Sequence, residues 1–340
     1  MSLRWRPMQP KDVQECVEIV ATHPAVSPRY GGAIDDLQKA WLSILGRDAV
    51  IALILEELDG RRTRAWGVGV SVVVTEEFLN EIKRPPLSWL GPVLAKRVGA
   101  GRTGSSGESP LLSDQQLREA NSTGGLNAVC WEGCIRAEDE RRPEYVRCMK
   151  GAFLDTHRGY LWNEVLAYQA RSAERLKWTL DSGGQLWNPA GGRYWESPRE
   201  DLQEIVRQPH IIGVTREMAR HRLGAWVDAI FDYRPPRIGF SRAEQQLLEA
   251  ALHDEAGTDR ELSAARRVSV STIKKIWLSI YDRAASCTPD LIPNNSRTDH
   301  DAVQRGTEKR RHLLAYLREH PEELRPVSRK LLQQNAMRPM

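Results

Sequence analysis

The order of elements predicts an α+β protein: a mixed α/β domain over 1–205, a linker helix over 206–236, and an all-α region beyond it. Three observations carry this. Residues 49–58 (AVIALILEEL) and 65–74 (AWGVGVSVVV) are apolar, β-rich runs joined across Asp59-Gly60, a hairpin signature. Strand-like and helical periods alternate on both sides of that hairpin. From Phe240 onward the alternation stops, and Ser241, Thr258 and Ser269 each stand at the head of a helical period.

Bulk properties limit the choices. A chain of 340 residues has room for about two domains, and 41% hydrophobic with 28% charged residues is the composition of a protein that buries an ordinary core. No apolar run reaches bilayer length, and MSLRWRPMQP lacks the profile of a secretory leader, so a cytoplasmic protein with no membrane partner is expected. The net charge of +4 excludes an overwhelming field, so any hold on nucleic acid must come from local arrangement. Five cysteines, an odd number without framework spacing, suit reduced thiols. Cys130, Cys134, Cys148 and His157 lack the second close pair of a zinc site, so no metal or other cofactor is expected and buried thiols are the simpler reading.

In chain order, 3–5 reads as a strand, followed by a helix carrying Val13, Cys16, Val17 and Val20 and, past Pro24 and Pro28, a helix over 34–45 with Leu37, Ala40, Trp41 and Ile44 on one side. After the hairpin, 76–122 reads as an insertion: helices at 76–82 and 87–97, the Gly/Ser-rich tract VGAGRTGSSGESP, and a helix capped by Ser113. Strand 126–134, helix 145–157, strand 161–168 and helix 172–181 follow, the last ending at Gly183-Gly184. Glu132 and Glu164 fall on strands that would flank a cleft, with solvation or salt bridging as the plainer expectation. Trp131, Trp162, Trp178, Trp187 and Trp195 would either fill the core or line an apolar effector pocket.

The segment 215–233 carries Met218, Leu223, Trp226, Val227 and Ile230 on one side of a helix, and Pro235-Pro236 stiffens the entry to the next unit. In 237–286 two capping boxes are expected, Ser241 with Glu244 and Thr258 with Glu261. A turn at 266–268 leads to a third helix capped by Ser269. Ile273, Ile276, Trp277, Ile280 and Tyr281 form its apolar stripe, and Ser271, Lys274, Lys275 and Leu278 lie outward. Two helices across a tight turn, the second with a cationic outer side, suit a DNA major groove. Within 235–285, eight Lys/Arg meet seven Asp/Glu, so that unit is polarised rather than basic. Beyond it, 287–340 reads as a loop, a helix from Thr307 with Leu313, Leu314 and Leu317 inward and Lys309, Arg310 and Arg311 clustered at its start, then a frayed tail.

Ser241, Glu244, Thr258, Glu261-Leu262, Val268-Ser269, Thr272-Ile273-Lys274 and Ile280-Tyr281 together resemble the LuxR-type helix-turn-helix of bacterial transcription regulators, over roughly 45 residues. Arg266 and Arg267 depart from the aliphatic residue and glycine usual there, and Ile276 replaces a common His. The resemblance implies a DNA-binding regulator that acts as a homodimer on double-stranded DNA. It implies contacts by Thr258, Ser269, Ser271, Thr272, Lys274, Lys275, Leu278 and Arg283, with Arg242 a lesser candidate for the backbone.

The order of the first 200 residues, and the opening LRWRPMQPKDVQECVEIV in particular, resembles the GNAT acetyltransferase fold. That family holds acetyl-CoA through a Q/R-x-x-G-x-G/A loop after its fourth strand, whose backbone N–H groups cradle the pyrophosphate. Here the matching segment, CIRAEDERRPEYVRCMKG, lacks those glycines and carries acids. Lys96 to Gly101 offers a near match in the wrong place and reads as the start of a loop. A GNAT-like domain that senses a small-molecule effector or scaffolds is therefore expected, with no catalytic residue assigned; the alternative is an acyl-CoA-dependent N-acyltransferase with an accessory helical domain.

Overall fold

Strand β1 (Ser2–Pro7) pairs antiparallel with β2 (Val50–Asp59), β2 with β3 (Arg62–Val74), and β3 with β4 (Leu126–Ile135). Strand β5 (Trp162–Ala167) joins β4 in parallel, and β6 (Gln185–Asn188), β7 (Arg193–Trp195) and β8 (Ile212–Thr215) complete an eight-stranded sheet of order β1-β2-β3-β4-β5-β8-β6-β7. The protein is thus mixed α/β. This computed structural model describes residues 2–60, 62–100, 109–167, 169–195, 201–221, 226–253, 257–292, 302–328 and 331–332. The chain divides into one unit of Met1–His157 with Leu161–Phe231 and a second of Arg158–Tyr160 with Asp232–Met340.

In the first unit, alternation along the strands sends side chains to two cores. Ile54, Val68, Val70 and Val72 face α1 (Val13–Thr22), α2 (Ser27–Tyr30) and α3 (Ile34–Ile44), while Leu53 and Leu55 face the other way. Each of these fully buried aliphatic chains contributes about 1.5–3 kcal/mol. Two tryptophans occupy strand irregularities. Trp66 is the extra residue where Leu55 pairs Gly67 but Glu56 pairs Ala65, and its ring stands edge-on to Tyr145 at 4.6 Å. Trp131 is extra where Val70 pairs Glu132 but Ser71 pairs Cys130, and meets Trp41 at 6.2 Å.

The expected insertion is not peripheral. Helices α4 (Glu76–Ile82) and α5 (Leu90–Gly99) bury Phe78, Leu79, Ile82, Leu90 and Leu94 in the main core, and α6 (Asp114–Ala120) buries Leu117. Helix α5 also corrects the reading of Lys96 to Gly101, since Lys96 to Gly99 close a helix rather than open a loop; 101–108 lie outside the described residues.

On the opposite face α7 (Pro143–His157) covers Leu53, Leu55 and Trp66. Helix α8 (Ala173–Asp181) and α9 (Leu202–Arg207) pack with β6 and β8. Where a linker helix was expected over 206–236, β8 enters the sheet and leads into the short α10 (Arg216–Arg220) and a 3-10 turn at Trp226–Ile230. Ile212 and Val214 are alternate buried strand residues, and the four-residue strand is too short to show that period in sequence. Leu223 lies outside the described residues. Gly213 in this strand lets Tyr194 cross it, for a Cβ there would meet the tyrosine oxygen at 2.1 Å.

The second unit holds α11 (Arg242–His253), α12 (Asp259–Arg266), α13 (Val270–Cys287) and α14 (Ala302–Glu319). One core joins them: Leu247, Leu248, Leu262, Ile273, Trp277 and Ile280 pack with Leu313, Leu314 and Leu317 of α14. The C-terminal helix is therefore part of the same folded body as the segment 237–286, not an appendage after it. Residues 293–301 and 333–340, which include most of the expected loop and the tail, are outside the described set.

Candidate nucleic-acid interface

Both expected capping boxes form. The Ser241 N–H donates to Glu244 Oε2 at 2.6 Å and the Glu244 N–H to Ser241 Oγ at 3.4 Å. Thr258 and Glu261 make the reciprocal pair at 2.7 and 3.3 Å. Ser269 Oγ accepts the Thr272 N–H at 3.1 Å and fixes the start of α13. Between α12 and α13 the chain turns through Arg267, whose φ of 54° is left-handed and closes α12 without the glycine such a position favours.

Helix α13 is divided by its own period. Ile273, Trp277, Ile280 and Ala284 are buried, while Ser271, Thr272, Lys274, Lys275 and Leu278 are exposed, Leu278 at 62%. A shallow surface groove runs past Lys275, Leu278, Ser279, Asp282 and Arg283. No acidic residue occupies the first turn of α13, where Ser269 Oγ lies 2.8 Å from the hydroxyls of both Ser271 and Thr272.

Two of the sequence-derived contacts, Thr258 and Arg283, are tied to carboxylates of the same unit. The Thr258 hydroxyl donates to Glu261 at 2.8 Å, so this end of α12 carries its own carboxylate; that backbone N–H and hydroxyl hold the Glu261 carboxyl below its usual range. Arg283 Nε sits 3.2 Å from Glu244, which also accepts the Ser279 hydroxyl at 2.7 Å. Burial opposes ionisation of Glu244, but Ser279, Ser241 and the Arg283 charge outweigh it and hold the carboxyl below its usual value. In the C-terminal basic cluster, Arg310 binds Asp259 and the Gly257 carbonyl and lies over the Trp277 ring at 4.4 Å. Sequence spacing found the caps and the face but missed Glu244 and Arg310 as internal clamps, because their partners are 35 and 51 residues away.

The residues singled out in the first unit have structural work. Glu132 accepts the Tyr30 hydroxyl at 3.1 Å. Glu164 pairs with Lys83 at 2.7 Å and accepts the Tyr194 hydroxyl at 2.5 Å. Burial pushes the Cys130 and Cys134 thiols up to about 12, and the described residues hold no group of three or more His, Cys, Asp or Glu placed for a metal. The indole N–H groups of Trp162 and Trp187 donate to the His157 and Lys83 carbonyls at 2.6 and 2.9 Å, and Trp195 is 41% exposed. The β4–β5 ladder ends at Val129 and Leu166, and beyond it Arg171 donates to the Gly133 carbonyl.

Where a GNAT phosphate cradle would stand, the segment before α7 holds Glu138, Asp139 and Glu140. Asp139 is bound by Arg64, and Glu140 lies 3.2 Å from Arg171 and 3.3 Å from His23. Burial disfavours the Glu140 anion, yet His23 and the two neighbouring arginines keep its carboxyl below the usual range. Among the described residues no helix is long and apolar enough to cross a membrane. Compared with family models, curated proteins and solved structures, the chain matches none, so its own residues carry the functional reading.

Proposed function

We propose that the chain is a sequence-specific duplex-DNA-binding regulator of the LuxR type, in which α13 enters the major groove and two copies read paired half-sites. The observation that carries this is the division of α13. A buried stripe anchored by Trp277 holds Ser271, Thr272, Lys274, Lys275 and Leu278 outward on consecutive turns of one capped helix. Lysines reach phosphate or guanine edges, hydroxyls reach phosphate, and an exposed leucine suits a thymine methyl. Arg283 is a weaker backbone contact because Glu244 engages it.

The first unit modulates this activity. Its element order supports the GNAT-like reading, and the arginine-held carboxylates before α7 favour sensing or scaffolding over acetyl transfer, since they disfavour a pyrophosphate there. The test is selection of the full chain on a random duplex library, followed by anisotropy on the enriched site. A preference of about 100-fold or more over scrambled duplex is expected. Retention that depends on salt alone, with no enriched sequence, removes the reading.

A further inference from the structure

Between the sheet and helices α7 and α8 lies a cavity of about 120 Å³ that DNA binding does not use. Leu53, Val146, Met149, Phe153, Trp178 and Val214 give it an almost wholly apolar lining. That volume approaches the ~150 Å³ of an apolar cavity known to accept benzene. Phe153, Trp178 and Met149 in the lining favour a ring over an aliphatic chain.

Two basic residues, Lys150 and Arg175, stand together on one side of this lining. Lys150 Nζ lies 3.6 Å from the centre of the Trp178 ring, and Arg175, one turn before Trp178, lines the same space. Arg175 has Glu140 at 3.8 Å, whereas Lys150 pairs with no carboxylate among the described residues. Burial, and then the Arg175 charge, pull the Lys150 ammonium below the usual lysine range, so an incoming anion would relieve it. Among the described lining residues the one acid, Glu132, is tied to the Tyr30 hydroxyl, and Tyr30 belongs to the core on the opposite face of the sheet.

We propose that this cavity binds a small aromatic carboxylate, with its ring among Met149, Phe153 and Trp178 and its carboxylate on Lys150 backed by Arg175. The site stands without the DNA reading; its role as the effector site rests on that reading.

The experiment is calorimetric titration of the full chain with phenylacetate and with 2-phenylethanol, its neutral counterpart. Phenylacetate should bind about tenfold or more tightly. Lys150→Met keeps the aliphatic stem over Trp178 and should erase that preference, and Val146→Trp, which fills the cavity, should abolish both. Equal affinity for acid and alcohol, saturation by neither, or a preference that survives in Lys150→Met overturns the site. Displacement of phenylacetate by micromolar acetyl-CoA also overturns it, by assigning the cavity to a coenzyme. Adding phenylacetate to the duplex assay separates the two readings. An unchanged affinity for the enriched site removes the effector role alone, while absence of any enriched site removes the regulator and leaves the calorimetry to stand.

Discussion

The starts of α7 and α13 use one backbone device for opposite ends. Each presents the positive end of a helix dipole, which favours an anion. At α7 the anions are built in: Asp139 and Glu140 before it are bound by Arg64 and Arg171, and Glu144 in its first turn by Arg142 at 3.0 Å. At α13 the first turn holds the hydroxyls of Ser269, Ser271 and Thr272, with Lys274 and Lys275 following outward. A helix start that supplies its own carboxylates excludes phosphate, and one that supplies only hydroxyls leaves room for it.

The comparison breaks most severely at Glu244, where the second unit uses internal ion pairing of the kind seen before α7. Glu244→Ala removes hydrogen bonds from Ser241 and Ser279 and the Arg283 pair, and should cost about 3 kcal/mol in urea unfolding of the second unit. Because the folded Glu244 carboxyl is held below its ordinary 4.5, its stabilisation is complete above that pH and is lost as pH falls through the lower folded value. The Ala variant should therefore show a weaker acid dependence than the parent.

Asp139→Ala is the matching cut before α7. It leaves Arg64 without its closest partner and should cost about 2 kcal/mol in the first unit, with duplex affinity unchanged. Lys274→Ala with Lys275→Ala sharpens the contrast, since these side chains are exposed. Stability should move by no more than about 0.5 kcal/mol. Duplex affinity should fall about tenfold, near 1.4 kcal/mol, and the slope of log affinity against log salt should shrink by about 2 if both meet phosphate. Unchanged affinity would turn the two lysines into plain solvated surface. The smallest effect is expected at the turn. Arg267→Gly relieves a left-handed non-glycine residue and should raise the midpoint of thermal unfolding, by about 1 kcal/mol in stability.

Sequence made visible what depends on neighbours along the chain. The hairpin shows through its period, although Asp59, expected in the turn, ends β2 and pairs with Arg62; the caps at Ser241, Thr258 and Ser269 show through three-residue spacing. Strands β6, β7 and β8, only four, three and four residues long, fall below the length at which alternation is a signal. At the candidate site, the outward face of α13 follows from its 3.6-residue period, but the engagement of Arg283 and Arg310 does not. Partners brought together by tertiary packing decide whether an arginine is a clamp or a contact, and the order of residues does not encode that locally.

Leu313, Leu314 and Leu317 fill the same interior as Trp277, and Arg310 caps that tryptophan from α14. A cassette cut at residue 286 for transplantation onto another protein would thus carry an open hydrophobic wound in place of a finished surface. The portable piece runs through Leu324, and graft designs that respect the shorter motif boundary would inherit an aggregating module.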